Sequence, residues 1–155
     1  MSVIGDLASG IFSDEFDSDT GVVTSGAIQA WLENNLGELN NLVYKDFSGV
    51  NADLDTEAQS IHKELYLYSY YTKQSRNALR GITSASNDDK ILSLKDGESA
   101  VTFVNRNEVA KVYRGLANDS KAKLDDLVAR YNIYEAKPQQ VGGIDGVVLT
   151  GSDNT

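Results

Sequence analysis

From Leu54 to Leu79, apolar or small residues recur in steps of four and three: Leu54, Ala58, Ile61, Leu65, Tyr68, Thr72, Ser75 and Leu79. This spacing predicts a helix with one face in a packed core. Its middle, Leu65-Tyr66-Leu67-Tyr68-Ser69-Tyr70-Tyr71, is apolar or aromatic almost all the way round. A helix without a clear polar face lies among other elements or against other subunits. Asp55 or Thr56 can cap its start, and Thr56 with Gln59 has the spacing of a capping box. It is expected to end near Gly81, with Arg76 and Arg80 placed to favour the negative end of the helix dipole.

A second helical pattern follows a Thr24 or Ser25 cap and runs through Ile28, Trp31, Leu32, Leu36, Leu39, Leu42 and Val43. Trp31 reads as a core anchor. Gly37 and the asparagines at 34, 35, 40 and 41 weaken the intrinsic propensity, so tertiary contacts must support this helix. Residues 47–51 read as a turn. A third helix opens after Asn105, with Glu108 three residues on and Val104 placed to pack on Val109. Its expected stripe is Val109, Val112 or Tyr113, Leu116, Leu124, Leu127 and Tyr131. Asp119 with Lys123, and Asp126 with Arg130, are acid-first pairs four apart that support an exposed face.

Between the second and third long helices, residues 83–98 form a polar connector broken by Ile91, Leu92 and Leu94. Asp96-Gly97 signals a turn, and residues 99–104 (Ser-Ala-Val-Thr-Phe-Val) suggest a short strand. Alone in a helical chain, that strand would need a chain end or a neighbouring subunit as partner. Residues 1–23 are rich in Gly, Ser and Asp, with apolar points at Val3, Ile4, Leu7, Ile11, Phe12 and Phe16. They read as an irregular arm docked by a few anchors. After Tyr131 the character changes again. Pro138 is the only proline, and the Gly-rich end carries Val141, Ile144, Val147, Val148 and Leu149. Such a tail is disordered or ordered by a partner, and the apolar residues favour the partner. The predicted fold class is therefore mainly α. A small bundle of about three long helices spans 24–132, with a loop and strand insertion at 83–104. Extended arms at 1–23 and 133–155 flank it.

Composition narrows the chemistry. With 155 residues the chain suits one domain. It has no cysteine and one histidine, which removes disulfide frameworks, thiolate sites and most catalytic constellations. His62 sits one residue from the apolar stripe and reads as a flank residue. Asp14 to Gly21 invites a calcium-loop reading. From Asp17, however, the fifth position is Gly21 and the twelfth Ile28, so the ligand template fails and a solvated acidic turn is expected. There is no phosphate loop or dinucleotide fingerprint, and neither cofactor nor metal is expected. Asn118-Asp-Ser120 matches a glycosylation sequon, but on a predicted helix. Met1 to Asp6 lacks the basic start and apolar run of a secretory signal. No apolar run approaches the roughly 20 residues that span a bilayer, so a soluble chain without membrane partners is expected. The net charge of −9 disfavours nucleic-acid backbones and anionic lipid. A DNA-mimicking regulator would array its carboxylates on one helix face, whereas here they are dispersed.

The order of parts resembles a known family. A helix carrying Trp31-Leu32 precedes a long helix ending in Arg76-Asn-Ala-Leu79. Then come residues 96–103 (Asp-Gly-Glu-Ser-Ala-Val-Thr-Phe) and a final helix with Leu124, Leu127-Val128 and Arg130-Tyr131-Asn132. This resembles the head–tail connector (adaptor) proteins in the neck of tailed bacteriophages, over residues 25–132. Residues 104–117 also look like part of a phage virion protein. The resemblance implies a helical bundle made in the host bacterial cytoplasm. It would assemble at the head–tail interface of the virion as a ring, of twelve copies, beneath the portal protein. DNA would pass through the ring without specific binding, and a downstream neck or tail protein would bind below. Residues from about 133 onward (Val141, Ile144, Val147, Val148, Leu149) would dock on the portal. Tyr66, Tyr70, Tyr71, Val101 and Phe103 would lie at subunit contacts, although for Tyr66 and Tyr70 the core is an equal alternative. Other neck components, a stopper or tail terminator, share this description, and an acidic helical regulator is a further alternative. Each of these acts without catalysis.

Overall fold

The computed structural model describes residues 2–49, 52–80, 93–96, 99–102 and 106–136, the two short segments between 93 and 102 by backbone alone. These residues are mainly helical. Five helices run in order: α1 (Val3–Phe16), α2 (Ser25–Asn34), α3 (Leu36–Val43), α4 (Thr56–Leu79) and α5 (Arg106–Glu135). β1 (Ser93–Asp96) and β2 (Ser99–Thr102) lie between α4 and α5.

The N-terminal residues are not an irregular arm. Ser2 caps α1 by accepting from the Gly5 amide at 3.1 Å, and Ile4, Ala8 and Ile11 are buried at helical spacing. The anchors expected of a loose arm are the inner face of a helix. Glycine at 5 is there for packing, since a side chain would meet Ser2 Oγ at 3.1 Å and the Gln29 carboxamide at 3.7 Å. α1 and α2 pair as an antiparallel hairpin, with the Ser9 and Ser25 hydroxyls 3.5 Å apart at the opposite end. The turn between them begins with Asp17 and Ser18, both left-handed (φ 49° and 58°). The Asp19 carboxylate accepts from the Gly21 amide at 2.8 Å, a local use of an exposed acid.

The expected helix from Ser25 to Val43 is two helices. Thr24 caps the first through the Ala27 amide. At Asn35 (φ −110°, ψ 18°) the chain breaks, and the Asn35 side chain donates to the Trp31 carbonyl at 2.8 Å. An asparagine that bonds a backbone carbonyl offers the chain an alternative to the helix ladder. After α3, Tyr44 takes the left-handed cap (φ 54°), and Asn40 pins the following turn by bonding both the amide and the carbonyl of Phe47.

α4 is the centre of the fold, with α1, α2, α3 and α5 all packed on it. Asp55 is its cap, accepting from the Ala58 amide at 2.7 Å. The box expected between Thr56 and Gln59 does not form, because Gln59 donates instead to the Leu54 carbonyl. Ile61, His62, Glu64, Leu65, Tyr66 and Leu67 are all buried, so the first part of the segment without a polar face is enclosed within one copy of the chain, while Tyr68, Tyr70 and Tyr71 stay half-buried.

α5 runs antiparallel along α4, and its inner face is Ala110, Ala117, Ser120, Leu124 and Tyr131. Small residues at 110, 117 and 120 let the two helices approach closely, and the buried Ser75 hydroxyl donates to the Ala110 carbonyl. The expected stripe had Val112 or Tyr113, Leu116, Leu124 and Tyr131 in it. Leu124 and Tyr131 are buried as expected, and of the two alternatives Tyr113 faces inward while Val112 is exposed; Leu116 is exposed too, with Ala117 buried in its place. Lys123 also departs from its expected partner. It pairs with the buried Glu64 at 2.7 Å rather than with Asp119, while Arg130 does pair with Asp126.

α5 extends past residue 132 to Glu135, so the bundle includes the start of the expected C-terminal arm. There it is tied down three ways. Tyr131 donates to Asp55 at 2.8 Å, Asn132 to the Leu42 carbonyl, and Lys45 pairs with Glu135. Asp55 thus uses one oxygen to cap α4 and the other to hold α5. Tyr131→Phe is expected to cost about 1.5–3 kcal/mol in chemical denaturation, as for a bond to a charged partner. A loss below about 0.5 kcal/mol would mean that water replaces the contact.

The strand at 99–102 has its partner within the chain. β1 and β2 pair antiparallel, with Asp96 opposite Ser99 and Leu94 opposite Val101. Two residues separate them, so the Asp96-Gly97 signal was that of a hairpin. The sequence expectation missed β1 because Ser-Leu-Lys-Asp has one apolar residue and little β propensity.

Candidate functional site

His62 and Ser120, two polar residues singled out in the sequence, are both packed into the fold. His62 is not a flank residue but fully buried, with Nε2 2.8 Å from the Leu32 carbonyl and its ring 5.9 Å from that of Trp31. Burial lowers its pKa below the usual imidazole value, against the opposing effect of the Leu32 bond. Ser120 of the sequon is buried on α5. Among the described residues, no group of three or more His, Asp or Glu side chains is placed to share a metal ion. No described helix is long and apolar enough to cross a membrane.

The aromatic residues of α4 form a chain of rings. Phe16 lies edge-on to Tyr70 at 4.9 Å, Trp31 edge-on to Tyr66 at 5.3 Å, and Tyr71 stacks on Tyr113 at 6.5 Å. Tyr66 belongs to the core, which takes it out of the accessible surface. Burial, together with the neighbouring Tyr70, pushes its phenol up to about 12. Tyr70 and Tyr71 are half-buried and pack on the same core from its edge. Of the other expected contact residues, Val101 lies in β2, placed by its backbone register opposite Leu94. Phe103 and the arm residues Val141, Ile144, Val147, Val148 and Leu149 lie outside the described residues.

Two surfaces stand out instead. The first is on α5, where Val112, Leu116, Ile133 and Tyr134 are 63%, 39%, 76% and 89% exposed. At the C-terminal end of this helix, Tyr134 borders a groove of about 370 Å³ floored by Ile61 and Leu127 and rimmed by Glu57, Arg130 and Glu135.

The second lies where α2 and the start of α3 face α4. A cleft of about 330 Å³ there is lined by Trp31, Asn35, Glu38, Tyr68, Thr72, Lys73 and Arg76, and it continues past Trp31 and Lys73 toward Val22 and Gln74. Sequence reasoning assigned Arg76 to the helix dipole and gave Lys73 no role. Helical spacing was a usable signal, since Lys73 and Arg76 lie three residues apart on one side of α4. Their position beside an aromatic cleft needed the break at Asn35.

Comparison with known protein families, with characterised proteins and with solved structures finds no match to this chain.

Proposed function

We propose that this chain is a structural virion protein, a head–tail adaptor of a tailed bacteriophage. It assembles as a ring between the portal and the tail, lines the DNA exit channel and acts by assembly rather than catalysis. The observation that carries this reading is the apolar exposure of α5, at Val112 with Leu116 and, toward its other end, at Ile133 with Tyr134. Each pair puts large apolar side chains on an otherwise charged helix, and exposed apolar surface rimmed by polar residues suits contact with another chain. The order of helices and the segment at 96–103 support it through the resemblance to neck adaptors. The charge of −9 suits a wall along which DNA slides without adhering.

The test is to mix the purified protein with the portal of the same phage and to measure particle mass and symmetry. A ring of this chain, twelve copies on a twelve-fold portal, is expected on the portal face. A protein that stays monomeric and leaves the portal bare counts against the adaptor reading. Truncation after Ala136 gives an independent check. Tyr131, Asn132 and Glu135 already tie α5 down before that point, so helicity and melting temperature should stay nearly unchanged while portal binding is lost. Loss of the folded monomer would place the arm in the core.

A further inference from the structure

The charges of this chain are segregated in a way its net value hides. No lysine, arginine or histidine precedes Lys45, so every charge on α1, α2, α3 and their turns is negative. From Leu65 to Arg80 the reverse holds: there is no Asp or Glu, and Lys73, Arg76 and Arg80 follow one another. Elsewhere in the described chain most cations are paired. Lys45, Lys63, Lys111, Lys121, Lys123 and Arg130 each meet a carboxylate. Lys73 and Arg76 are exposed, border the Trp31 cleft and have no ion-pair partner among the described residues. Glu38, the one carboxylate lining that cleft, pairs with neither cation among the described residues, so in a chain with 23 acidic and 14 basic residues the two leave a surface that suits an anionic partner.

We infer that the cleft lined by Trp31, Tyr68, Lys73 and Arg76 receives the acidic α1–α2 turn of a second copy of this chain. The turn is suited to the role. Asp14, Asp17 and Asp19 are exposed within six residues, and Glu15, between them, is already held by Lys63 at 2.7 Å. The turn's backbone is set by the left-handed Asp17 and Ser18 and by the Asp19 bond to Gly21, so little ordering cost remains on docking. Carboxylates would meet the ammonium and guanidinium, with Trp31 and Tyr68 beneath them as the apolar floor. Donor and acceptor are different patches of the chain, so the contact can repeat head to tail, the heterologous kind that closes into a ring when the rotation permits. This inference rests on the ring reading and gives it two complementary faces.

Two double variants test it by sedimentation at increasing concentration and low salt. One is Lys73→Glu with Arg76→Glu, and the other Asp14→Lys with Asp19→Lys. All four positions are exposed, and circular dichroism checks that each variant is folded. Each variant alone should associate at least about tenfold more weakly than the parent protein, and salt should weaken the parent likewise. Mixing the two should restore association, because each supplies the face the other lacks.

The chain has no cysteine, so a disulfide between separately made Ser18→Cys and Gln74→Cys proteins reports the same contact against a clean background. Should the charge variants fold poorly, these two milder ones decide the matter. Cross-linking no faster than random, unaltered association of either charge variant, or a parent protein that stays monomeric at millimolar concentration overturns the inference. So does a cleft that retains a short DNA duplex but no second copy. Portal binding is scored separately. Variants that bind the portal normally and still associate sink the contact while leaving the adaptor reading in place.

Discussion

Ile11→Ala is expected to remove about 2–5 kcal/mol of stability, the range for truncating a buried aliphatic side chain without collapse of the cavity. Ile11 is 1% exposed, and it shares its face of α1 with Ile4 and Ala8, both fully buried. Total stabilities of about 5–15 kcal/mol make such a loss a large fraction of the whole. Urea denaturation followed by circular dichroism measures it. Gly10→Ala, on the same helix with nothing within 4 Å of the added methyl, is the internal control and should be neutral or slightly stabilising. A near-zero effect of Ile11→Ala would mean that α1 is peripheral and that the irregular-arm reading of residues 1–23 was right. The two expectations differ by several kcal/mol, so the measurement separates them cleanly.

That contrast shows where the sequence was legible. Helical class, the position of α4 and the starts of α2 and α4 followed from periodicity and caps. Thr24 and Asp55 both bond the amide three residues on, as their residue types suggest. α1 was missed because Gly5 and Gly10 lower helix propensity, and propensity is overridden by the buried face that Ile4, Ala8 and Ile11 supply. On α5 the expected stripe holds at Tyr113, Leu124, Leu127 and Tyr131 and fails at Leu116, where Ala117 is buried instead. Leu116 is the more apolar choice, but Ala117 and Ser120 fit the narrow seam beside Ser75 and Ala110.

The site followed the same rule. Tyr66, Tyr70 and Tyr71 were legible as a cluster. Whether a tyrosine faces its own core or a neighbour depends on Phe16, Trp31 and Tyr113, which come from three other helices. The cleft beside Lys73 and Arg76 depends on the chain breaking at Asn35, a side-chain bond that no hydrophobic pattern encodes.

The same break explains His62 and sets the second large prediction. Where a helix ends, its last carbonyls lose their intrahelical donors. The Leu32 carbonyl lies at that end, and His62 reaches it from α4. A carbonyl can only accept, so Nε2 carries the proton and Nδ1 holds a bare lone pair. Nδ1 is buried without a hydrogen-bond partner. Protonation would add a charge and an unsatisfied donor at the centre of the fold, which is why burial lowers this pKa below 6.5.

The sign of the linkage follows. Above pH 6.5 the ring is neutral in both folded and unfolded chains, and its contribution is fully present. As pH falls below 6.5 the unfolded chain takes up the proton first, so stability declines until the folded-state pKa is passed. The parent protein should therefore lose melting temperature between pH 7 and about 5, above the range where most carboxylates titrate. In His62→Gln the amide can still donate to Leu32 but cannot ionise there, so its profile should be flat over that window. His62→Ala, which leaves both a cavity and an orphaned carbonyl, should cost about 2–5 kcal/mol at neutral pH. The chain's single tryptophan, Trp31, lies against this ring and gives a fluorescence readout of the local transition. If the parent and His62→Gln profiles run parallel from pH 7 to 5, His62 is not the group that links acid to unfolding, and its burial at the α2–α3 junction would have no bearing on stability in that range.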